Sequence, residues 1–120
     1  KGKAAPVTAI IATDTRFYEF MPQLWFREGA KEMFEGNAAL AAATAARNGT
    51  LQGAYFIIAA RAIGLDCGPM SGFDIAKVNA EFFPDGRLTA NFICSLGYGD
   101  TSKLFDRQQR LSFEQVATLL

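Results

Sequence analysis

Apolar residues are grouped along the chain into short runs rich in β-branched side chains and one long run of helical length. The first short run, residues 6–13, ends at Asp14 and predicts a buried strand. A second, residues 88–96, stops at a glycine-rich turn and predicts another strand. Two strands do not form a stable sheet alone. This pattern therefore indicates either part of a larger α+β domain or a chain that folds with partner chains.

The longest apolar run, residues 38–63, predicts a helix that begins after Asn37 as N-cap and ends before Gly64. Its apolar side chains are spread around the circumference, and a helix that is apolar on all sides has to be buried on all sides. Gly49 and Gly53 each cost about 1 kcal/mol relative to alanine inside a helix, which indicates close approach of another backbone or a local break. Burial on every side is more than this chain can supply alone.

Shorter patterns fill the rest of the chain. Residues 17–36 mix aromatic and charged side chains and predict one or two short amphipathic helices. Residues 65–74 contain two glycines and a proline and predict a loop, after which Asp74 caps a helix over 75–82. A terminal helix over 113–120 is predicted behind its cap, Ser112.

Composition narrows the possible functions. The chain has 120 residues with 12 Lys and Arg against 12 Asp and Glu, and half of its residues are hydrophobic, which predicts one ordered domain without nucleic-acid affinity. No apolar run is long enough for a membrane span, so we expect a soluble protein. The absence of histidine excludes the common nucleophile systems and imidazole-based zinc sites. Two cysteines are too few for a disulfide scaffold or a metal centre, which favours a reducing, cytoplasmic setting without a metal.

The most unusual stretch is the run Gly-Pro-Met-Ser-Gly at residues 68–72. Glycines allow a main chain to approach a flat ligand and to point N–H groups at it, which suits a cofactor bound through the backbone. An ordinary connection between a helix and the next element has the same composition, so both interpretations stay open here. Neither a dinucleotide-binding nor a P-loop signature is present.

Three further groups are candidates for binding. Arg110 can bind a phosphate with two hydrogen bonds and lies near Lys103 and Arg107, although a solvated loop with local ion pairs explains the same charges. Five aromatic side chains can line an apolar pocket, or belong to the core or to a subunit interface: Phe17, Tyr18, Phe20, Trp25 and Phe26. Polar positions of the long helix can meet a ligand or each other: Arg47, Asn48 and Gln52. Cys67 lacks an activating neighbour and is expected to be a small buried side chain.

Three sequence segments together resemble the flavin-dependent nitroreductase family. They are Arg-Asn-Gly-Thr-Leu-Gln-Gly-Ala-Tyr at 47–55, the run from Ala60 to Asp74 with its Gly-Pro-Met-Ser-Gly-Phe-Asp motif, and Leu-Gly-Tyr-Gly-Asp at 96–100. The resemblance covers nearly the whole chain and looks closest to the malonic semialdehyde reductase subgroup of pyrimidine breakdown.

The resemblance implies an α+β sandwich, with a central mixed sheet flanked by helices, that forms an obligate intertwined homodimer with FMN in clefts between the subunits. Residues 1–120 would be the C-terminal portion of one such domain, because the family begins with a segment absent here and has a longer loop after residue 24. Its motif places Pro69, Met70, Ser71 and Gly72 against the flavin ring, with a main-chain N–H near N5. Arg110, and with a looser match Arg107, would hold the FMN phosphate.

The implied activity is that of an FMN-dependent NAD(P)H oxidoreductase in which hydride passes from the nicotinamide to the flavin and then to a second substrate, in a ping-pong sequence. The subgroup points to reduction of malonic semialdehyde to 3-hydroxypropanoate. A broad nitroaromatic or quinone reductase of the same fold is the alternative within enzymes. A non-catalytic flavin-binding protein, or an inert dimerisation fragment without cofactor, is the alternative outside them. No residue is assigned as a catalytic acid.

Overall fold

A computed structural model describes residues 4–120 and shows a small sheet crossed by one long helix. The strands are β1 (Val7–Asp14), β2 (Asp66–Met70) and β3 (Leu88–Gly97). The α-helices are α1 (Met21–Leu24), α2 (Ala30–Glu35), α3 (Ala38–Ala62), α4 (Ile75–Phe82) and α5 (Phe113–Val116). Single 3-10 turns lie at Phe17–Phe20 and Thr101–Lys103.

The sheet has the order β1-β3-β2, and both pairings are antiparallel. Helix α3 crosses from β1 to β2, which run in the same direction, and β3 is inserted between them in the opposite direction. The mixed sheet implied by the family resemblance therefore differs from the sheet of the described residues. The sheet of the described residues is antiparallel because its central strand, β3, comes last in the chain and runs in the opposite direction to both of its neighbours.

The predicted first strand and last strand are confirmed within one residue, and β2 corrects the sequence analysis. Residues Asp66–Met70 were expected to lie in a loop, yet Cys67 pairs with Leu96 and Pro69 with Cys94 in the ladder. Proline is tolerated because β2 is an edge strand and the missing N–H costs no pairing on its outer side. The sheet therefore has three strands, whereas the sequence analysis identified only two.

Helix α3 begins and ends almost as predicted. The Asn37 side chain accepts a hydrogen bond from the Leu40 N–H at 3.0 Å, and Gly64 adopts a φ of +90° beyond the last turn. One stripe of small residues is buried against the sheet: Ala41, Ala45, Gly49, Gly53 and Ala60. Gly49 and Gly53 lie where α3 closely approaches the strands, which confirms the first of the two interpretations of these glycines; the alternative, a local break, is wrong because α3 is continuous.

Helix α4 is confirmed over the predicted residues 75–82, and the terminal helix is shorter than expected. Asp74 caps α4 by accepting from the Lys77 N–H at 3.0 Å, and Gly86, at a φ of +71°, follows that helix in a turn. The terminal helix was predicted over 113–120 but ends after one turn, because Ala117 is already extended. Val116 and Leu119 are exposed, so this segment has no packing partners that would offset the unfavourable free energy of helix nucleation.

The described chain leaves an unusual amount of surface exposed. Its accessible surface is 9462 Å², whereas a folded monomer of this mass exposes about 6,300 Å². Its radius of gyration is 18.0 Å, against about 14 Å for a globular chain of this length. Large apolar side chains remain exposed on the outer face of α3, among them Leu51, Tyr55 and Ile58. The helix that was expected to need cover on every side is covered by this chain on one side only.

Candidate functional site

A cleft opens where the end of β2 meets the middle of α3. It has a volume of about 360 Å³, within the range of small-molecule sites. Three of the residues from the glycine-rich run line it, together with side chains of α3 and β3: Pro69, Met70, Ser71, Thr50, Ala54, Ile57 and Phe92. The structure thus brings together three of the four residues that were expected to meet a flat ligand.

The backbone beyond β2 leaves donors free at the mouth of this cleft. The chain departs from the sheet after Met70, which is the last residue paired with β3. Ser71 and Gly72 are exposed, and hydrogen bonds among the described residues include none from their N–H groups. The Phe73 N–H donates to the Ser71 carbonyl at 3.0 Å, which closes a tight turn before the cap at Asp74. Gly72 does not line the cleft, and its position has open space around it.

Thr50, which lines the cleft, forms a polar pair with Asn91, which does not line it. The Asn91 Nδ2 donates to the Thr50 Oγ1 at 2.9 Å, and that hydroxyl donates to the Ala46 carbonyl at 2.9 Å. Asn91 is the extra residue of a β-bulge, since Ile11 pairs with Phe92 and Ala12 with Ala90. The sequence carries no signal for this bulge, so the inward direction of Asn91 could not be predicted.

The two arginines expected to hold a phosphate lie elsewhere. Arg107 and Arg110 are exposed on the C-terminal segment after the last 3-10 turn, and neither lines the cleft. The Arg110 Nη1 donates to the carbonyls of Gln108 at 2.8 Å and Gln109 at 3.3 Å. Lys103 forms an ion pair with Asp100 at 3.5 Å.

The cleft fits part of an FMN molecule. Its apolar walls and the free N–H groups of Ser71 and Gly72 suit a flat heteroaromatic ring that accepts hydrogen bonds along one edge. No cationic side chain lines it, so the phosphate is not accounted for within the cleft. The guanidinium groups of Arg107 and Arg110 make no ion pair with any described residue and have the chemistry a phosphate needs.

A junction of charged groups fixes the opposite end of β2. The Asp66 Oδ2 accepts from the Gly99 N–H at 2.7 Å, and its Oδ1 pairs with the Arg61 guanidinium. Arg61 also donates to the Leu65 carbonyl at 3.1 Å. The hydrogen bond from Gly99 and the charge of Arg61 lower the pKa of Asp66 below its ordinary 3.8. The strand that leads to Pro69 is therefore held at its first residue by a carboxylate that stays ionised in mild acid.

The two thiols, Cys67 and Cys94, lie on the neighbouring strands β2 and β3 and are both free. Cys94 is completely buried, and burial raises the pKa of its thiol above the ordinary value, with Cys67 adding to the effect. Cys67 was expected to be buried and is half-buried, with its Sγ 3.9 Å from the Ile57 carbonyl. The described residues contain no group of three His, Cys, Asp or Glu side chains that could hold a metal ion.

The other candidate groups are divided between core and surface. Phe17 packs on Phe34 with ring centroids 4.9 Å apart, whereas Phe26 is 94% exposed. Trp25 and Phe26 line a separate cleft of about 320 Å³ beside α2. Asn48 and Gln52 line a smaller hollow with Asp14, and Arg47 is exposed. None of these side chains lines the cleft at Pro69.

Comparison with known proteins gives relatives that are longer than this chain. No protein-family model matches it. A Polynucleobacter asymbioticus protein named "Putative NADH dehydrogenase/NAD(P)H nitroreductase" is 58% identical to this chain over 120 residues. A Ralstonia nicotianae protein of the same name, with a locus tag added, is 54% identical over 120 residues. Those alignments cover all of this chain but only 61% and 62% of the relatives. The chain therefore spans about three fifths of the length of these curated relatives.

Solved structures share the fold at low sequence identity. The nitroreductase family protein of Streptococcus pneumoniae superposes with a TM-score of 0.78 at 20% identity, covering 98% of this chain and 66% of that one. A "putative NAD(P)H:FMN oxidoreductase" of Staphylococcus epidermidis gives a TM-score of 0.73 at 17% identity, covering 97% and 62%. No described helix is long and apolar enough to cross a membrane. The named relatives are called nitroreductases, and the solved structures, at identities of 20% and 17%, show a shared fold.

Proposed function

We propose that this chain acts as an FMN-dependent NAD(P)H oxidoreductase. The names of its relatives support NAD(P)H as the co-substrate, and the named FMN oxidoreductase among its structural neighbours supports the cofactor. The observation that carries the proposal is the apolar cleft of about 360 Å³ beside the free N–H groups of Ser71 and Gly72. Such a site binds a planar ring by its faces and one edge without needing a titrating side chain.

Each residue of the site has a simple task in this proposal. The N–H group of Ser71, with that of the neighbouring Gly72, would hold one edge of a bound flavin ring by hydrogen bonds, and such donors would favour the reduced ring. Pro69, Ile57 and Phe92 supply apolar surface that excludes water from the ring. Bound FMN would supply hydride transfer between a nicotinamide and a small acceptor. Because the cofactor carries that chemistry, the absence of histidine is no obstacle.

The phosphate of FMN is assigned to Arg110, with Arg107 as the second candidate. Both guanidinium groups are exposed and can form charge-assisted hydrogen bonds with phosphate oxygens. Residues 104–112, which carry them, are exposed and have no regular secondary structure. This assignment rests on the family resemblance and on the charge chemistry, since neither arginine lines the cleft.

A homodimer is part of the proposal. The outer face of α3 presents Leu51, Tyr55 and Ile58 at 54%, 72% and 63% exposure, and burial of such a face favours association. The accessible surface exceeds that of a folded monomer by roughly 3,000 Å². An obligate, intertwined interface would cover both α3 and the exposed C-terminal segment.

Free Cys67 and Cys94 agree with a cytoplasmic location.

We propose malonic semialdehyde as the physiological acceptor, reduced to 3-hydroxypropanoate. The support is the resemblance of the motif at residues 68–74 to that subgroup. A nitroaromatic or quinone reductase is the second candidate, favoured by the word nitroreductase in the names of the relatives. A flavin carrier without turnover is the third.

Absorbance and turnover together test the proposal. The purified chain, incubated with FMN and freed of excess ligand, is expected to retain the flavin absorbance and to lose it under NADPH or NADH without oxygen. Steady consumption of NAD(P)H with malonic semialdehyde, but not with nitroaromatics or quinones, supports the first acceptor; the reverse supports the second. Bound flavin without turnover indicates a carrier, and absence of bound flavin contradicts the proposal.

A further inference from the structure

We infer that a cavity beside the first half of α3, the α3 cavity, binds an uncharged aromatic amide. The α3 cavity has a volume of about 520 Å³ and lies between this helix, the end of β1 and the start of β3. Its volume is within the range of small-molecule sites. None of its lining residues also lines the cleft at Pro69, so it is a site that the proposed function does not use.

One side of the α3 cavity is apolar and built largely of small residues. Alanine side chains on successive turns of α3 form this side, among them Ala41 and Ala45, which are buried. Phe34 and Tyr18 add aromatic rings, and Phe34 is held by an edge contact with Phe17 at 4.9 Å between ring centroids. Aromatic neighbours contact a planar ring by its edge or its face, and alanines leave room for one. This side therefore favours an aromatic ligand.

A buried hydroxyl without a partner lies at the same cavity. Thr13 lines it and is only 8% exposed. Threonine hydroxyls that form hydrogen bonds within the described chain are those of Thr15, Thr50 and Thr89, and none of these bonds involves the Thr13 Oγ1. A Cβ built on Gly49 would lie 2.8 Å from this oxygen, so the glycine leaves it uncovered. Because a buried hydroxyl is costly to leave unpaired, Thr13 indicates a hydrogen-bonding occupant.

Two further polar groups of the lining have unused hydrogen-bonding capacity. The Asn91 Nδ2 donates to Thr50 at 2.9 Å, which leaves the Asn91 Oδ1 as an acceptor. The Thr89 Oγ1 accepts from the Asn79 Nδ2 at 2.9 Å, which leaves the hydroxyl hydrogen for donation. The Asn79 Oδ1 also accepts from the Ala90 N–H at 2.8 Å, so this wall is fixed before a ligand arrives. An amide group carries both a carbonyl acceptor and N–H donors and complements such a set.

The charges at the lining exclude anionic ligands. No Lys or Arg among residues 4–120 lines the α3 cavity. Glu35 lines it, is exposed, and makes no ion pair with a described residue. An anion would lose hydration without gaining a counter-charge and would be repelled by Glu35. A cation would gain only one exposed carboxylate, a pairing of little net value, so the lining favours an uncharged ligand.

Benzamide is the probe for this site, with benzoate and toluene as matched comparisons. Benzoate has nearly the same shape and a negative charge, whereas toluene keeps the ring without the polar group. We would titrate the 15N-labelled 120-residue chain and follow the amide chemical shifts. Benzamide is expected to give saturable shifts at Ala45 and Ala90 with a Kd of about 1 mM, ordinary for a ligand of its size. Benzoate is expected to bind at least about tenfold more weakly.

Removal of the unpaired hydroxyl tests its role directly. Thr13→Val is expected to weaken benzamide about fivefold and toluene less than about twofold, because only benzamide can pair with the hydroxyl. Thr8→Val, at an exposed position of the same strand, is the control and is expected to change neither affinity. Equal losses for both ligands in Thr13→Val would mean a role in packing alone and overturn the inference. Unchanged benzamide affinity in that variant, equal binding of benzoate, or no saturable shift in the wild type overturns it as well.

A blocking variant keeps the inference testable if Thr13→Val does not fold. Ala42 is exposed and lines the α3 cavity, whereas its neighbour Ala43 is exposed and does not line it. Ala42→Phe is expected to abolish the benzamide shifts, and Ala43→Phe is expected to preserve them. Unchanged benzamide binding in Ala42→Phe would place the probe elsewhere and overturn the inference. Displacement of benzamide by saturating FMN would place it in the cleft at Pro69, with the same consequence.

Discussion

Gly53 lies directly against the ring of Phe92, so that a Cβ atom built on this glycine would be 2.6 Å from the Phe92 Cζ and 3.0 Å from the Ile11 Cγ2. The contact sets the distance between α3 and the two strands β1 and β3. It also places Phe92 at the wall of the cleft that Pro69 and Met70 line. The helix glycine is therefore a packing requirement that shapes the candidate site.

Replacement of Gly53 by alanine tests this packing. The added methyl group would displace Phe92 or α3, and overpacking costs more than the roughly 1 kcal/mol that alanine gains in helix propensity. Gly53→Ala is expected to lower the free energy of unfolding in urea by about 1–2 kcal/mol. Gly49→Ala, which meets the Thr13 hydroxyl rather than a ring, is expected to cost less. A stabilised Gly53→Ala chain would contradict the close approach.

Arg87 anchors the aromatic segment after β1 to the sheet. Its guanidinium donates to Asp14 at 3.1 Å and Glu19 at 2.6 Å and lies 5.1 Å from the Phe20 ring centre. The hydrogen bonds that Arg87 donates to Glu19 and Asp14 raise the pKa of Arg87 above its already high value, so it stays charged.

Arg87→Met is therefore expected to lower the Tm by several degrees, because two carboxylates lose their shared partner, while Arg87→Lys recovers part of the loss. Lys77→Met removes an ion pair of a side chain that is 86% exposed and serves as the matched control with little effect. If Arg87→Met and Lys77→Met lower the Tm equally, the contacts of Arg87 stabilise the chain no more than an exposed surface ion pair does.

Acid stability should depend on Asp66. The hydrogen bond from Gly99 and the nearby Arg61 lower the pKa of Asp66 in the folded chain. The folded state therefore favours the ionised form, and the stabilisation is fully present above the unfolded value near 4 and is lost as the pH falls through the lowered folded value.

The difference in unfolding free energy between the wild type and Asp66→Asn is expected to be constant above about pH 5 and to shrink below about pH 4. Urea denaturation across this range measures it, with Glu81→Gln as a reference carboxylate. A difference that does not change with pH would mean that Asp66 acts by shape rather than by charge.

Removal of Arg110 should separate phosphate binding from ring binding. A charge-assisted contact to phosphate predicts that Arg110→Ala raises the Kd of FMN roughly 10- to 100-fold and leaves the Kd of riboflavin nearly unchanged. Arg107→Ala, measured beside it, decides which arginine carries the contact, and Lys77→Ala controls for general loss of positive charge. Unchanged FMN affinity in Arg110→Ala would remove that residue from the site.

Most elements could be predicted because their signals are local. Asn37 and Asp74 each accept a backbone hydrogen bond at the start of a helix, and the long helix ends before a glycine in the left-handed region. Strand β2 was missed because glycine and proline within five residues are typical of loops. Only the ladder with β3, an interaction between distant parts of the chain, makes an edge strand of this segment.

Some residues of the candidate site could likewise be predicted from a local motif, and others could not. Pro69, Met70 and Ser71 follow from a contiguous motif, and the structure places them at one cleft. Thr50 and Asn91 were not predicted, because their meeting depends on a bulge in β3 and on the depth to which two glycines let α3 approach the sheet. Arg107 and Arg110 are separate from the cleft, on an exposed segment without regular secondary structure, and no local signal in the sequence predicts where such a segment lies.

The proposed function depends on backbone N–H groups at the end of β2 that hold the edge of a flavin ring. Titration of the 15N-labelled chain with FMN, followed by amide chemical shifts in two-dimensional NMR spectra, tests it most directly. The largest shifts are expected on the amides of Ser71 and Gly72, and riboflavin is expected to reproduce them. Shifts confined to other parts of the chain, with these two amides unmoved at saturation, would contradict it.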